Sequence, residues 1–544
     1  MRKSTLRIAV GASALLTLVG VAAVVGPSLL REPFVSKFAG GDPDQASSAT
    51  TPGEGPVGGW AAFLSAMRTY PADVIPPAVV ANAKATFERI AGADARTGDP
   101  GAKGHKWSFY GPLLAGVQPG VTSFSGATNT TASRITAMVV APDCNAARCR
   151  IWVGAAGGGI WRTDNALAND PDWKQLHPGD LDQASVGTLT LDPTDKTGST
   201  LYLGTGEANR CSSGCEAGVG IYKSTDNGEH WAKLDDKCVN NPTYSCAVPG
   251  NDAFLGRGIS SIVIDPRNAN HIFVGSALGV RGLSHVIGNG GTTRLEPGAN
   301  APGLYESTNG GATFTEVWNG NSASSFGINN VGLDPLNLDV VYVSAFDAGM
   351  WRRDAGSAQT AFSQVFAPQF NQGAGIDRLM FALTVKNAHT RIYLTEGTQP
   401  ATANVNDPRA ANFWRLDNAN QAAATLLASQ GTCTPPDAAT HTFPATYNGW
   451  QCLTSQTTSN PYFATTAFCT QQCWYDQLVY TPAGMPDTVY VIGSNLYGEQ
   501  PCDTKGVGCG NGRSNGREVL YSDTAGDPDA AKNMRTFTDL SYDA

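Results

Sequence analysis

Charge is scarce in this chain. Asp, Glu, Lys and Arg make up 15% of its 544 residues, the net charge is −9, and no basic run follows the N-terminus. Those absences argue against nucleic acid and an anionic membrane surface as main partners. A phosphate-binding Gly-Lys-Ser/Thr loop and a His-Glu-x-x-His helix are also missing, so the chemistries built on them have no support. Glycine is abundant, at 62 residues. With so little charge, it fits many turns and little helix.

The turns repeat. Ser224-Thr-Asp226-Asn-Gly228-Glu-His-Trp231 has the form Ser-x-Asp-x-Gly-x-x-Trp, and Ser307-Thr-Asn309-Gly-Gly311-Ala-Thr-Phe314 is a degraded copy in register. Asp or Asn bonds its own backbone two residues on, Gly supplies positive φ, and the aromatic opens the next strand and enters the core. Around these turns run four kinds of short β-type segment. The first is apolar and often ends in Asp-Pro, as in Ile262–Pro266; the second is aromatic-centred, as in LYLG at 201; the third precedes the polar turn, as in IYKSTD at 221; the fourth is aromatic-x-x-aliphatic, as in WAKL at 231. β-Branched and aromatic runs bounded by Gly, Pro, Asn and Asp are strand signals. A four-stranded unit repeated radially is a propeller blade, so the expected fold is all-β.

The set of four recurs six times, from Ile135 to Leu540. A seventh fourth-type run, Trp107–Tyr110, stands ahead of the first set. Propellers remove their open edges by lending a terminal strand to the last blade. The count therefore points to seven blades, the last incomplete in this chain, with six blades and a leader strand as the alternative.

Four regions are expected along the chain. Residues 1–30 read as an export signal, with Arg2, Lys3 and Arg7 ahead of an uncharged stretch from Ile8 to Leu30. The stretch is also long enough for a retained single-span anchor, the one route to a membrane. Residues 31–59 are a Gly/Pro/Ser/Thr-rich linker, 60–104 a short helical leader broken by prolines, and 105–544 the propeller. Twelve cysteines fall in near pairs: 144/149, 211/215, 238/246, 433/452, 469/473 and 502/509. An even count beside an export signal predicts disulfides and a secreted, periplasmic or cell-surface location. No metal or cofactor is expected, because the Cys spacings lack a close His. A monomer is expected.

Topology separates two faces. The Ser-x-Asp turns join third to fourth strands on one face and are structural. Long insertions, four of them holding cysteine pairs, gather on the other, where loops on a rigid scaffold carry binding and catalysis. On that face Arg134, Arg257 and Arg378 each start an innermost strand and are candidate ligand-binding residues. Clustered Arg suits bidentate capture of an anionic group, while pairing with local acids such as Asp377, Asp252 or Glu207 is the alternative. Glu396 joins them as a ligand-binding candidate. Glu207 and Asp476, with Tyr475 beside it, are candidate catalytic residues, since glycoside hydrolysis uses two carboxylates or a Tyr nucleophile. Glu499 and Asp347 are further acids on this face.

The Ser224–Trp231 and Ser307–Phe314 stretches resemble the Asp-box (BNR) repeat of sialidase-like, sortilin-like and xyloglucanase-like β-propellers. Trp107…Gly111-Pro112, Arg134-Ile-Thr-Ala and Gly204-Thr-Gly-Glu-Ala-Asn209 look like secreted bacterial BNR-repeat proteins often labelled glycosyl hydrolase-like. The resemblance implies a propeller over about residues 105–544. The Arg-Ile-Pro motif that sialidases carry ahead of their repeats is absent here, which speaks against an exo-sialidase. Xyloglucanase-like enzymes work with two propellers and a cleft between them. Sortilin-like and photosystem-assembly-like members bind peptides or proteins without catalysis. The expectation is recognition of a glycan or protein through the disulfide-tied loop face. A glycoside hydrolase using acids on that face is the alternative, and a structural module of a larger surface protein the second.

Overall fold

The computed structural model describes residues 79–86, 134–176, 179–209, 215–279, 296–321, 326–370, 377–397, 411–435, 447–494 (apart from 456, 458, 466, 467, 470–472, 474 and 475), 517–529, 531 and 534–540. These residues form six sheets, each built on four antiparallel strands that follow one another in chain order, one of which gains a fifth, parallel strand at its outer edge. Blade 1 is β1 (Ile135–Val140), β2 (Ile151–Ala155), β3 (Gly159–Thr163) and β4 (Lys174–Leu176). Blade 2 is β5 (Val186–Leu191), β6 (Leu201–Thr205), β7 (Ile221–Ser224) and β8 (Ala232–Lys233). A short strand, β9 (Lys237–Cys238), precedes blade 3, which is β10 (Arg257–Asp265), β11 (Asn268–Leu278), β12 (Leu304–Ser307) and β13 (Thr313–Trp318). Blade 4 is β14 (Ile328–Leu333), β15 (Val341–Ala345), β16 (Gly349–Arg353) and β17 (Ser363–Phe366). Blade 5 is β18 (Arg378–Lys386), β19 (His389–Gly397), β20 (Ala411–Leu416) and β21 (Gln451–Cys452). Blade 6 is β22 (Gln477–Tyr480), β23 (Val489–Ser494), β24 (Arg517–Ser522) and β25 (Thr538–Asp539).

Every complete set of four runs in the sequence is a blade. The fold is an all-β propeller with six blades among the described residues, not the seven that the sequence count expects. The physical reason lies in what the count rests on. A blade needs four paired strands, and the seventh has only one outer-type run, Trp107–Tyr110, which lies outside the described residues. The export signal, the linker and most of the leader lie outside them too. Within the leader a helix spans 79–86, and Lys84 sits 3.5 Å from Asp182. No helix of the described residues is long and apolar enough to cross a membrane.

The blades pack face to face through five apolar cores. The aromatic at the centre of each second strand enters the core shared with the next blade: Trp152 between blades 1 and 2, Tyr202 between 2 and 3, Phe273 between 3 and 4, Tyr342 between 4 and 5, Tyr393 between 5 and 6. Each of these five rings is at most 1% exposed. Full burial of one large apolar side chain stabilises by roughly 1.5–3 kcal/mol, so this single repeat position holds neighbouring blades together. The innermost strands pack in sequence as well, β1 on β5, β5 on β10, β10 on β14, β14 on β18 and β18 on β22.

Polar turns of one kind join the third and fourth strands of blades 2, 3 and 6. Ser224 Oγ accepts the Gly228 N–H at 2.9 Å, and Asp226 Oδ1 accepts the His230 N–H at 3.0 Å. The second copy repeats both bonds, Gly311 N–H to Ser307 Oγ at 3.0 Å and Thr313 N–H to Asn309 Oδ1 at 3.0 Å. Trp231 and Phe314 are buried behind them. Blade 6 carries a third such turn that the sequence pattern does not single out. There Gly526 N–H donates to Ser522 Oγ at 3.0 Å, with Thr524 in the place of Asp. Gly228 has φ +82°, and an added Cβ would lie 2.8 Å from Leu176 Cδ1. Gly228→Ala is therefore expected to cost about 1–3 kcal/mol, read as a lower urea midpoint. A midpoint within error of wild type would show that the turn is not strained by a side chain.

Four disulfides join Cys144–Cys149, Cys238–Cys246, Cys433–Cys452 and Cys469–Cys473, pairs the spacing predicts. They are consistent with an extracellular protein. Cys215 is disulfide-bonded as well. Cys211, Cys502 and Cys509 lie outside the described residues.

Candidate functional site

The loop face draws residues of four blades to one place. Arg134 immediately precedes β1, Glu207 and Asn209 follow β6, Arg378 opens β18, and Asp476 immediately precedes β22. Arg134 Nε donates to Glu207 Oε1 at 2.9 Å, and its Nη2 makes a second contact with the same oxygen. Asn209 Nδ2 donates to Glu207 Oε1 at 3.0 Å, while Arg378 Nη1 donates to Asn209 Oδ1 at 2.7 Å. A polar chain thus runs from blade 1 through blade 2 to blade 5. Asp476, on blade 6, acts electrostatically on both Glu207 and Arg378. Gln477 Nε2 donates to the Arg378 carbonyl at 2.8 Å, which fixes the start of β18 against blade 6.

Local sequence explains how Glu207 is presented. Gly206 turns the chain with φ +83°, and a Cβ there would come within 2.6 Å of the Glu216 carbonyl. Glu207 then exchanges backbone bonds with Glu216, N–H to O at 2.9 Å and the reverse at 3.1 Å. Gly258 closes the other side: its Cβ would lie 2.6 Å from the Glu207 carbonyl. Only glycines leave room for this approach. Burial raises the Glu207 pKa above the usual carboxylate value, against the pull of Arg134 and Arg378 and with the help of Asp476. Burial also lowers the Arg378 guanidinium to about 10, although Asp476 and Glu207 favour its charge.

Arg257 does not join this chain. Its buried side chain turns to backbone carbonyls, with Nε on Asn300 O at 2.5 Å and Nη2 on Ala299 O at 3.5 Å. Two of the three candidate arginines come together and the third braces the 296–300 segment. Asp252, one suggested partner, pairs with Lys233 and with Lys237 (2.6 Å) instead. Arg134 takes Glu207, as the local-pairing alternative has it.

Glu396 is fully buried and presents no oxygen to solvent. It accepts the Gln369 N–H, Asn412 Nδ2 at 3.4 Å and Trp414 Nε1 at 3.3 Å. Beside it lies the carboxyl of Asp377, also fully buried, whose backbone N–H is held by Asp347 Oδ1 at 3.0 Å. Burial raises both acids, Glu396 to about 7, and Asp377 further feels Glu396 and Asp347. Both carboxyls are thereby pushed toward their neutral forms. Tyr475 and Glu499 lie outside the described residues.

Sequence reasoning overlooked Asn209 and Gln477. Asn209 stands within the Gly204–Asn209 stretch that drew notice, but nothing in one sequence distinguishes a bridging amide from a turn residue. A cavity of about 230 Å³ lies elsewhere, between blades 3 and 4, lined by His271, Glu306 and Arg353. Its central acid is already satisfied: Glu306 accepts from His271 at 2.6 Å, Arg353 at 2.8 Å and Gln359 at 2.9 Å. That leaves the loop-face cluster as the better candidate. Among the described residues, no group of three or more His, Cys, Asp and Glu is placed to hold a metal ion.

No protein family matches the chain, and no curated protein does. Solved structures of similar shape include an ancestral GH74 enzyme, with a TM-score of 0.37 and 12% identity over 75% of this chain. The match covers 46% of that enzyme, so this chain spans less than half its length. YCF48 from Cyanidioschyzon merolae has a TM-score of 0.37 at 10% identity, over 76% of this chain and 87% of that one. A triple-arginine mutant of AofleA from Arthrobotrys oligospora has a TM-score of 0.34 at 10% identity, over 76% and 88%.

Proposed function

We propose that this propeller is an extracellular recognition module that binds a neutral glycan at the loop-face cluster. One observation carries the reading: Arg134 and Arg378 are balanced by Glu207 and Asp476, with Asn209 bridging them. Two guanidiniums without acids would suit an anion. Compensated by two carboxylates and an amide, they offer fixed donors and acceptors with little net charge. Sugar hydroxyls, each both donor and acceptor, match such a set. The half-exposed Arg134 leaves the cluster open to solvent on one side.

A second reading is glycoside hydrolysis, with Glu207 as general acid and Asp476 as base or nucleophile. It is favoured by the raised Glu207 pKa beside a second carboxylate, an arrangement that lets one acid donate a proton while the other stays charged.

A neutral-glycan array probed with the full chain tests both readings. Arg378→Ala is expected to weaken binding of any retained glycan at least about tenfold, or about 1.4 kcal/mol. Glu207→Gln should weaken it too, with ligand masses unchanged after incubation. Shortened products that disappear in Glu207→Gln would transfer the conclusion to the hydrolase. If wild type retains and cleaves nothing, neither reading stands.

A further inference from the structure

One histidine stands between two buried carboxylates at the seam of blades 3 and 4. His271, near the start of β11, directs Nε2 to Glu306 Oε1 at 2.6 Å and holds Nδ1 3.4 Å from Asp265 Oδ2. An ionised carboxylate offers about four acceptor sites. Glu306 fills the rest of its own with donors from blade 4: Arg353 Nη1 at 2.8 Å, Arg353 Nη2 at 3.2 Å and Gln359 Nε2 at 2.9 Å. Asp265 takes the Arg267 N–H and Nε, each at 2.9 Å, and Arg267 Nη2 at 2.7 Å. Arg267 Nη2 also reaches Asp339 Oδ1 of blade 4 at 2.6 Å. Two polar strings thus cross the seam, and His271 joins them. It serves both carboxylates only as imidazolium, because a neutral ring turns one lone pair toward an acceptor oxygen.

Charge gives the same answer. Four carboxylates face the histidine or the cavity beside it: Asp265 on β10, Glu306 on β12, and Asp339 and Asp354 from blade 4. Three guanidiniums pair with them, Arg267, Arg352 and Arg353. The set balances when His271 is charged and keeps one excess negative charge when it is not. The cavity of about 230 Å³ opens the ring to water, and its side chain is 24% exposed. We infer that His271 is a pH latch: its protonated form holds blade 4 onto blade 3 beside this cavity, and deprotonation loosens the seam. Bonding to Glu306 raises the His271 pKa above its ordinary value, against burial. The stabilisation is therefore full below ~6.5, the unfolded value, and lost as pH rises through the folded one. Against burial, bonds from His271 and Arg353 lower Glu306 to about 2, and bonds from Arg267 lower Asp265 to about 2, so both stay charged across that window. The loop-face cluster draws on blades 1, 2, 5 and 6, so the latch does not depend on what binds there.

Nuclear magnetic resonance on the histidine-labelled full chain tests this. The chain has seven histidines, and His271 is identified by its contact with the Phe273 ring, 4.7 Å away between centroids. Its ring should titrate above ~6.5 in wild type and at lower pH in Glu306→Gln. Hydrogen exchange by mass spectrometry, corrected for the intrinsic pH dependence of amide exchange, reads the seam itself. Peptides of β12 and β16 should lose at least about tenfold in protection between about pH 5.5 and about pH 8.5. His271→Gln, uncharged at every pH, should remove most of that difference while peptides of blade 1 match wild type. Should this variant not fold, the wild-type titration decides alone. A His271 ring titrating at or below its ordinary value overturns the inference. So does seam protection that falls equally in wild type and His271→Gln, or a loss shared equally by blade 1, which marks unfolding of the whole propeller.

Discussion

Asp417→Ala is expected to lower the unfolding free energy by about 3–5 kcal/mol, read as a drop in the urea midpoint. Asp417 is 2% exposed and holds two guanidiniums that are themselves buried. Arg415 reaches it through Nε at 2.9 Å and Nη2 at 3.0 Å, and Arg391 through Nε at 2.5 Å. The Tyr447 N–H donates to the same carboxylate at 2.8 Å. Both arginines also cross to blade 6, Arg415 to Asp527 at 2.9 Å and Arg391 to Asp487 at 2.7 Å. Removing Asp417 leaves two desolvated cations with only part of their compensation, which is the costly direction for a buried ion network. Asp164→Ala is the control. Asp164 pairs with Arg150 and Arg162 but is half-exposed, and a pair of that kind contributes about 1 kcal/mol or less. Equal losses from the two substitutions would mean that burial does not set the energetics of this network.

Stability is expected to fall as pH rises from about 5 to 8, and Asp377→Asn is expected to flatten that slope. The sign follows from proton linkage. A carboxyl whose pKa is raised by folding binds more protons in the native than in the unfolded chain, so its contribution is full below the unfolded value and lost through the folded one. Burial holds Glu396 at about 7 and Asp377 higher than its ordinary value, so the window runs from ordinary carboxylate pH to beyond neutrality. Each unit of such a shift is about 1.4 kcal/mol. Asp236 and Glu316, each pushed up to about 7 by burial, act in the same direction. The comparison that isolates the pair is therefore wild type against Asp377→Asn, whose amide cannot ionise at any pH in the window. Urea midpoints at pH 5, 6.5 and 8 supply the test, and parallel slopes would sink the account of a buried pair with raised pKa values. Because Asp377 precedes Arg378, the same titration should weaken ligand binding at alkaline pH.

The blades were legible because their signals are local. Asp-Pro after an apolar run, an aromatic between β-branched neighbours and Ser-x-Asp-x-Gly before an aromatic each act within a few residues, and together they place all six blades. The site was legible in part. Strand order puts Arg134, Glu207, Arg378 and Asp476 on one face, and there they meet. Arg257 sits at the equivalent position in blade 3, but its side-chain direction depends on which carbonyls lie nearby, and Ala299 and Asn300 are more than forty residues away in sequence. Glu396 looked available because it ends β19 on the loop face. Its burial under Gln369, Asn412 and Trp414 is a packing outcome that no periodicity encodes. The helix Ala423–Ser429 and the strand β9 likewise escaped notice, being too short for a periodic signal.

β9 bears on the order in which this chain can assemble. It pairs in parallel with β13, Lys237 beside Thr313 and Cys238 beside Phe314. Asn241 Nδ2 then donates to the Glu316 carbonyl, 75 residues further along. During synthesis, which proceeds at about 5–20 residues per second, β9 must wait for blade 3 to be made before it has an edge to join. The Cys238–Cys246 bridge spans only eight residues and can close without that delay. The strap can therefore be shaped covalently before its partner strand exists, and it docks once blade 3 is made. A chain halted before Thr313 would carry a bridged loop with nowhere to lie.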